Sequence, residues 1–373
     1  MHISDPSDNT LPMRVLAIGL GGAGGRLADT LYRRDRAGKV SCVEAAAIDT
    51  DAQALRQLSA ITEEHRLYYP PIGPGAIDLE QILFHLKRQD ASGVDALLLC
   101  IGAGGETATV APALVDALKA GFAEPVLVLA ALPQRSEGQR IAAQAAEALD
   151  SLLPRADAVL LFDNETFAAR RPAGARDPSP TLYAALNVEA ARRIGLLLRA
   201  GEFGQEVGQV VVDAGEVLGT LSGQGFAAVG YAFDPLREHW LARLLGRPVP
   251  FLTKTDSFDG AARLVELAKK ACYEEVSVPC DLTGARKALL LVAGPSRELS
   301  MKGFTTVQKW LDRTIAGFEL RSGDYPVDAR RVGVVVLLAG LENVPRVTEL
   351  RQAAERERRP VRIDRVDPYD PGA

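Results

Sequence analysis

The stretch "RVLAIGLGGAGGR" at residues 14–26 joins an apolar run to a cluster of glycines, and the amphipathic segment "GRLADTLYRRD" continues from it. This order predicts a buried strand, a tight turn and the start of a helix. Gly19, Gly21 and Gly24 have the spacing G-x-G-x-x-G, which lets the backbone approach a phosphate group at the positive end of a helix. A tight strand–helix turn that binds nothing fits the same residues.

A second glycine-rich turn stands in "CIGAGGETATVAP" at residues 100–112, again between an apolar run and an amphipathic segment. A dinucleotide-binding enzyme, with Glu44 or Asp49 as the acid on the ribose, needs only one such loop. Two loops on neighbouring strands can hold both ends of a polyphosphate. The second turn also carries Glu106, an anion at a position where a phosphate needs a hydrogen-bond donor. The residues of this turn therefore fit a phosphate loop, an altered phosphate loop or a tight turn that binds nothing.

Between residues 14 and 165, apolar runs alternate with segments whose apolar residues recur every three to four positions. Buried strands that alternate with amphipathic helices predict a doubly wound parallel sheet, whose ligands bind at the carboxyl ends of the strands. Glycines and polar residues collect at these ends, in "GLGGAGG", "DTD", "GAGGET", "PQRSEG" and "DNE". A loop rich in Arg and Pro at 170–180 precedes a long predicted helix at 181–202. A second unit of mixed strands and helices follows from about residue 209.

The composition argues against several classes of protein. A formal net charge of −5 gives no general attraction to nucleic acid or to an anionic membrane surface. The longest apolar runs fall far short of the roughly 20 residues that cross a bilayer, and the first residues lack the basic and apolar regions of a signal peptide. The four cysteines and four histidines show no metal-ligand spacing. We therefore predict a cytoplasmic protein with reduced thiols, no metal cluster, no transmembrane segment and no nucleic-acid partner.

Several segments resemble the tubulin/FtsZ superfamily, and most closely its archaeal CetZ branch. "GLGGAGGR" resembles the first nucleotide loop of the superfamily, and "AIDTDAQAL" at 47–55 is close to the "NTDAQAL" of FtsZ. "LPQRSEG", "VLLFDNE" and "ALNVEAARRIGLLLRAGE" resemble CetZ segments, the last one being the central helix. "VVDAGEVLGTLSGQGFAAVGYA" at 211–232 is similar to the CetZ synergy loop and the strand after it. The second half continues with "VPCDLTGARKALLLVAGP", "SMKGFTTVQKWL", "GDYPV" and "VVVLLAGLENVPR", so the resemblance covers nearly all of residues 14–350.

The resemblance implies an α/β fold of the tubulin/FtsZ type. A Rossmann-type doubly wound parallel sheet forms the GTPase domain, and a long central helix leads to a smaller α+β C-terminal domain. The implied boundaries are a disordered leader at 1–13, the nucleotide-binding domain at 14–180, the central core helix at 181–202, the synergy loop and its helix at 203–225, the C-terminal domain at 226–345, and a charged helix and tail at 346–373. The charge run of the last segment is typical of a solvated helix face.

The resemblance also implies a site for GTP or GDP. The residues carried over to the phosphates are Gly21, Gly22, Ala23, Gly24, Gly25 and Arg26 in the first loop, and Gly104, Gly105, Glu106 and Thr107 in the second. Glu137 and Asn164 are carried over to the ribose and base, and Asn187 to the guanine edge. Each of these three also fits a capping or surface role, Glu137 above all because it stands at a predicted helix start, where an acid complements the helix dipole.

Asp213 and Glu216 match the acidic pair of the CetZ synergy loop. Their spacing puts both carboxylates on one face of a starting helix, where they can position a water molecule. An N-cap Asp followed by an acid at the third helical position accounts for the same pair. The resemblance implies that the pair is catalytic toward the nucleotide of a neighbouring subunit. That neighbour is another copy in a head-to-tail filament, or a CetZ- or FtsZ-type relative.

The second loop departs from the superfamily signature G-G-G-T-G-[TS]-G. Residues 103–109 read "AGGETAT", so Glu106 replaces the phosphate-binding hydroxyl, while Thr107 and Thr109 replace glycines. A Mg²⁺ ion that bridges Glu106 to the phosphates is one way to accommodate the carboxylate. Three functions stay open: a divergent CetZ-like cytoskeletal GTPase that controls cell shape, a nucleotide-poor regulator or cap of relatives' filaments, and an NAD-dependent enzyme.

Overall fold

The computed structural model describes residues 12–38, 41–69, 78–89, 93–199, 212–236, 257–295, 299, 301–315, 319–326 and 331–358. Most of the predicted leader, residues 203–211 before the acidic pair, and the tail from residue 359 lie outside the described residues. Met13, which we placed in the leader, is buried, and its N–H donates to the carbonyl oxygen of Leu198 at 3.0 Å. The structured part of the chain therefore includes the end of the predicted leader.

Six parallel strands form the first part of the sheet. They are β1 (Val15–Leu20), β2 (Val43–Asp49), β3 (Arg66–Tyr68), β4 (Ala96–Gly102), β5 (Val126–Leu132) and β6 (Ala158–Asp163). They lie in the order β3-β2-β1-β4-β5-β6, and every neighbouring pair is parallel. Every residue of β1 and of β6 is buried. This is why both strands are continuous apolar runs rather than alternating ones.

Helices cover both faces of these strands. They are α1 (Gly21–Arg36), α2 (Ala52–Arg56), α3 (Leu79–Arg88), α4 (Ala111–Gly121), α5 (Gln139–Leu152), α6 (Asn164–Ala169) and α7 (Pro180–Leu198). One hydrophobic core joins α1 and α7 to one face of the sheet, and a second core joins α3, α4 and α5 to the other face. The predicted α/β fold class with a doubly wound sheet is confirmed.

The second half of the chain extends the same sheet. Its elements are α8 (Ala214–Leu221), β7 (Phe226–Pro235), α9 (Ser257–Lys269), β8 (Lys287–Gly294), α10 (Met301–Thr314), β9 (Glu319–Pro326), β10 (Arg331–Leu341) and α11 (Pro345–Arg358). β10 is antiparallel to both β7 and β8, and β8 is parallel to β9. β7 joins β6 through only two residue pairs. The mixed strand directions fit the predicted smaller α+β domain.

The charged segment after residue 345 forms a helix whose charged residues 355–358 are exposed, as expected of a solvated helix face. The opposite face was not predicted: α11 packs against α5 and buries Val347, Leu350 and Ala354. Its arginines pair with acids of α5, as in the ion pair of Arg351 with Asp150 at 2.7 Å. The charge run therefore forms an interface with the nucleotide-binding half. Its partners lie about 200 positions away in sequence, so a local sequence pattern does not predict these contacts.

Candidate nucleotide site

The order of the strands reverses between β1 and β4. β2 and β3 lie beyond β1, while β5 and β6 lie beyond β4. The crevice at the carboxyl side of such a reversal is where doubly wound sheets bind their ligands. Both glycine-rich loops open onto this crevice, because α1 begins directly after β1 and a short 3₁₀ turn, Glu106–Thr109, follows β4.

Close packing requires two glycines of the first loop. Gly21 has a φ of +70°, and a Cβ there would lie 2.0 Å from Oγ1 of Thr107. A Cβ on Gly24 would lie 2.1 Å from the carbonyl oxygen of Cys100 in β4. These contacts press the start of α1 against the neighbouring strand, so they explain part of the glycine cluster without any ligand.

Arg26 brings a positive charge to the open end of α1. The N-cap residue of this helix, Leu20, offers no side-chain acceptor, so first-turn N–H groups remain able to donate to an anion. Arg26 is exposed and forms no ion pair with any residue that the structure describes. A Cβ on Gly22 would lie 3.3 Å from Nη1 of Arg26 and 3.7 Å from Oδ2 of Asp49. Burial raises the pKa of Asp49, and the Arg26 guanidinium offsets part of that rise.

A cleft of about 240 Å³ lies between these loops and the start of α7. The structure brings seven of the predicted binding residues to its wall: Ala23, Arg26, Gly104, Gly105, Glu137, Asn164 and Asn187. The other residues predicted for the two loops do not line it, namely Gly21, Gly22, Gly24, Gly25, Glu106 and Thr107. The wall also contains residues that we did not predict: Gly102, Ala131, Pro133, Ile141 and Tyr183. Tyr183 did have a sequence signal, because it precedes Asn187 by one helical turn on the same face of α7.

The second loop is wound into the 3₁₀ turn, and its acid does not line the cleft. Glu106 is exposed at the start of this turn and has no ion pair within the described part of the chain. Thr109 Oγ1 donates to the carbonyl oxygen of Glu106 at 2.7 Å, which closes the turn. Thr107 lies against Gly21 of the first loop. Glu106 therefore follows the two wall glycines, Gly104 and Gly105, without being part of the cleft wall itself.

Glu137 has protein partners at the other end of the cleft. Its Oε1 accepts the N–H of Gln134 at 2.7 Å, which completes a capping box. Burial raises the pKa of Tyr183, and the hydrogen bond with Glu137 raises it further. The capping role that we kept as an alternative is therefore present, and Glu137 holds Tyr183 against the cleft.

Asn164 and Asn187 have uncommitted amide groups. Asn164 is only 9% exposed and begins α6, directly after β6. Asn187 is half-buried on α7. Neither amide makes a side-chain hydrogen bond with a residue in the described ranges. Amides of this kind carry one acceptor and two donors, which suits the donor and acceptor edge of a base.

The acidic pair lies at the start of α8, which packs against β8, β9 and β10 at the other end of the sheet from the cleft. Asp213 is the N-cap of α8, and its Oδ1 accepts the N–H of Glu216 at 2.8 Å. α8 ends in a groove with Pro125 and Asp157, which precede β5 and β6 at the amino ends of the strands. Oε2 of Glu216 is buried without a hydrogen-bond partner among the described residues. Neither carboxylate lines the cleft of its own chain.

Comparison with known proteins identifies the family. The tubulin/FtsZ GTPase-domain family matches residues 14–170, and the C-terminal domain of tubulin-like CetZ matches residues 180–356. The tubulin-like protein CetZ3 of Haloferax volcanii is 33% identical over 365 residues, which cover 92% of each chain. The chain belongs to the CetZ family of tubulin-like proteins.

Solved CetZ structures have the same fold. The GDP-bound monomer of CetZ1 from Haloferax volcanii is 29% identical, covers 93% of this chain and 100% of its own, and superposes with a TM-score of 0.77. The GTPγS-bound protofilament of CetZ2 from the same organism is 29% identical, covers 92% and 99%, and has a TM-score of 0.78. The NAD-dependent alternative rested on the first loop alone, and membership of the CetZ family accounts for that loop together with the rest of the chain. None of the described helices is both long and apolar enough to span a bilayer.

Proposed function

We propose that this protein is a cytoplasmic cytoskeletal subunit that binds guanine nucleotide in the cleft after β1 and β4 and takes part in the control of cell shape. One observation carries the proposal: the cleft lies at the carboxyl ends of β1 and β4, whereas α8, which begins with the Asp213–Glu216 pair, packs against β8–β10 at the other end of the same sheet. When copies stack head to tail, the pair of one copy meets the cleft of the next. The contact uses different surfaces on the two copies, so the assembly grows as an open filament.

Each residue has a role that follows from its surroundings. The uncapped first turn of α1 and the Arg26 guanidinium hold the phosphate groups. Asn164 and Asn187 hold the base with their uncommitted amides. The bound nucleotide supplies the phosphoanhydride bond, and the carboxylates of Asp213 and Glu216 from the next subunit orient a water toward it. The described residues contain no cluster of three metal-ligating side chains, so a Mg²⁺ ion would rely mainly on phosphate oxygens.

The first prediction is that the protein prefers guanine to adenine nucleotides. Asn164 and Asn187 can match the donor and acceptor edge of guanine, and a site that pairs with such groups rejects a base that lacks them. Isothermal titration calorimetry with GTP, GDP, ATP and NAD tests this directly. We expect affinity for GTP and GDP to exceed that for ATP at least tenfold, and Asn187→Ala to lower it. Equal affinity for ATP and GTP, or tight NAD binding, would refute the proposed site.

Glu106 supports a second candidate function. The protein would bind nucleotide weakly and would cap filaments formed by relatives whose second loop keeps the family signature. The exposed carboxylate of Glu106 directly follows Gly104 and Gly105, which line the wall of the cleft. With an effective dielectric constant near that of water, about 80, a phosphate charge at about 5 Å from it costs on the order of 1 kcal/mol. Two such charges weaken binding roughly tenfold. Arg26 opposes this penalty from the first loop.

The second prediction is that Glu106→Gln raises GTP affinity about tenfold, because glutamine keeps the size of the side chain and removes its charge. Arg26→Gln should lower the affinity by a similar factor. Glu80→Gln is the matched control, since Glu80 is also an exposed acid in the first turn of a helix and lies outside the cleft. Calorimetry at constant ionic strength, with and without Mg²⁺, measures all three. Unchanged affinity of Glu106→Gln in both conditions contradicts this account of the loop.

A further inference from the structure

A second and larger cleft, of about 510 Å³, lies beside α7 and is separate from the nucleotide cleft. The end of α6, the middle of α7, the outer half of β7 and the π-helical turn Lys270–Glu274 after α9 enclose it. Its size falls within the range of small-molecule sites in proteins, roughly 300–1,000 Å³. Nothing in the proposed nucleotide chemistry uses it.

The cleft carries an excess of positive charge. Four cationic side chains line it, and only two carboxylates, Glu189 and Glu275, face them. Both carboxylates are already engaged by Arg193, which is 1% exposed and lies beneath the cleft: it pairs with Glu189 at 3.0 Å and with Glu275 at 3.1 Å. The cations of the wall are therefore only partly neutralised. They are Arg170, Arg171, Arg192 and Lys270.

Two of these cations have no partner in the described ranges. Arg170 pairs with Glu275, and Arg192 pairs with Glu189 at 3.5 Å and donates to the hydroxyl of Tyr231 at 2.8 Å. Arg171 and Lys270 make no ion pair or side-chain hydrogen bond with a described residue. Like charges gathered in this way repel one another. Burial lowers the pKa of nearby Arg34, and the Arg192 guanidinium lowers it further.

Aromatic rings hold the cationic groups in place. The guanidinium groups of Arg170 and Arg193 lie 4.2 Å and 4.3 Å from the ring centre of Phe167. Arg193 also lies 4.8 Å from the ring centre of Tyr231. Cation–π contacts and hydrogen bonds fix these planar groups before any ligand binds, which reduces the entropy lost on binding.

We propose that this cleft binds a small molecule carrying two or more phosphate groups, with Arg171 and Lys270 as its principal ligands. Guanidinium groups match phosphate oxygens with paired hydrogen bonds, and an ammonium group adds a compact point charge. Arg192 lies on the same wall and contributes a further cation. A polyphosphate removes the repulsion between these groups, whereas a neutral ligand would leave it in place.

Calorimetric titration with inorganic tripolyphosphate, in the presence of saturating GTPγS to occupy the nucleotide cleft, tests the assignment. The double variant Arg171→Gln with Lys270→Gln removes two charge-assisted contacts and should lose at least about a hundredfold in tripolyphosphate affinity. The control is Lys87→Gln with Arg88→Gln, which removes the same two residue types from the surface of α3. That variant should change the affinity less than twofold. Since Arg171 and Lys270 make no ion pair or side-chain hydrogen bond with a described residue, thermal unfolding of the cleft variant should match wild type.

Three results would overturn the assignment. The first is equal tripolyphosphate affinity in the cleft variant and the control variant. The second is a loss of tripolyphosphate binding in Arg26→Gln and not in the cleft variant, which places the bound anion in the nucleotide cleft. The third is an absence of tripolyphosphate binding while a glutamate-rich peptide binds in a way that depends on Arg171 and Lys270. A protein that binds no GTP can still bind tripolyphosphate at this cleft, so failure of the proposed function and failure of this inference are distinguishable.

Discussion

Asp213→Asn combined with Glu216→Gln should abolish GTP hydrolysis and leave nucleotide affinity unchanged. Neither carboxylate lines the cleft of its own chain, and α8 packs against β8–β10 at the other end of the sheet, so we expect the pair to act on the nucleotide of a neighbouring copy. Positioned general bases contribute about 10²–10⁴ in rate, and we expect a loss of at least a hundredfold. Phosphate release at concentrations that support assembly, together with calorimetry on dilute protein, separates the two quantities.

The amide substitutions keep the structural role of the pair. Asp213 caps α8, and replacement by Ala would cost about 1 kcal/mol of helix stability, whereas Asn is an equally good cap. Asp78→Asn is the matched control, because Asp78 caps α3 in the same way and lies far from the pair. Hydrolysis should be unaffected in this control. Normal hydrolysis by the double variant would reduce the pair to a helix cap.

A mixing experiment tests action between subunits. The double variant keeps an intact cleft, and a variant with Arg26→Gln and Asn187→Ala keeps an intact pair. When a subunit with the intact acidic pair stacks on a subunit with the intact cleft, the interface between them contains a complete hydrolytic site. The mixture should therefore recover part of the activity that neither variant has alone. A mixture as inactive as its components would contradict hydrolysis in trans.

The elements that the sequence predicted well are those determined by local pattern. β1 and β4 are continuous apolar runs followed by glycines, and their burial on both faces makes that pattern unavoidable. β3 and β9 escaped prediction because they are edge strands with charged residues, Arg66 in one and Glu319 in the other. Their strand conformation is imposed by pairing with β2 and β8, which local propensity does not report.

The candidate site shows the same division. The loop glycines were found because the motif is contiguous, and Asn187 because the resemblance placed it. The contact of Thr107 with Gly21 joins residues far apart in sequence, and only the folded chain shows it. The hydrogen bond of Glu137 with Tyr183 is of the same kind. Glu106 begins a 3₁₀ turn and does not line the cleft. The hydroxyl of Thr109 closes this turn by donating to the carbonyl oxygen of Glu106, a contact that the loop sequence alone did not predict.

Arg346→Met should lower the free energy of unfolding by about 3–5 kcal/mol, the cost of leaving a buried charge without its partner. Arg346 is 5% exposed on α11, and its Nε donates to Oδ1 of Asp163 at 3.3 Å. Its Nη2 donates to the carbonyl oxygen of Pro133 at 2.6 Å, beside the nucleotide cleft. Methionine fills much of the same space but leaves Asp163, which is 2% exposed, without its ion-pair partner. Urea denaturation followed by circular dichroism measures the loss.

The pH dependence of this loss has a defined sign. Burial raises the pKa of Asp163 in the folded protein, and hydrogen bonds from Thr166 together with the Arg346 charge oppose that rise. Without Arg346 the folded-state pKa rises further above the unfolded value, so folding favours the protonated acid. The deficit of the variant should therefore be largest near neutral pH and shrink as the pH falls toward the raised pKa. A deficit that stays constant from neutral pH down to the onset of acid unfolding would contradict an unpaired carboxylate as its cause.

Two further variants separate charge from packing. Arg351→Met removes an arginine of the same helix whose partner, Asp150, is half exposed, and such surface pairs contribute about 0–1 kcal/mol. Arg346→Met with Asp163→Asn removes both charges and keeps an N-cap acceptor for Thr166, so it should recover most of the lost stability. GTP affinity should fall in Arg346→Met and recover in the double variant, because Pro133 and Asn164 flank the ion pair and line the cleft. If Arg346→Met is no less stable than Arg351→Met, the buried pair does not couple α11 to the nucleotide cleft.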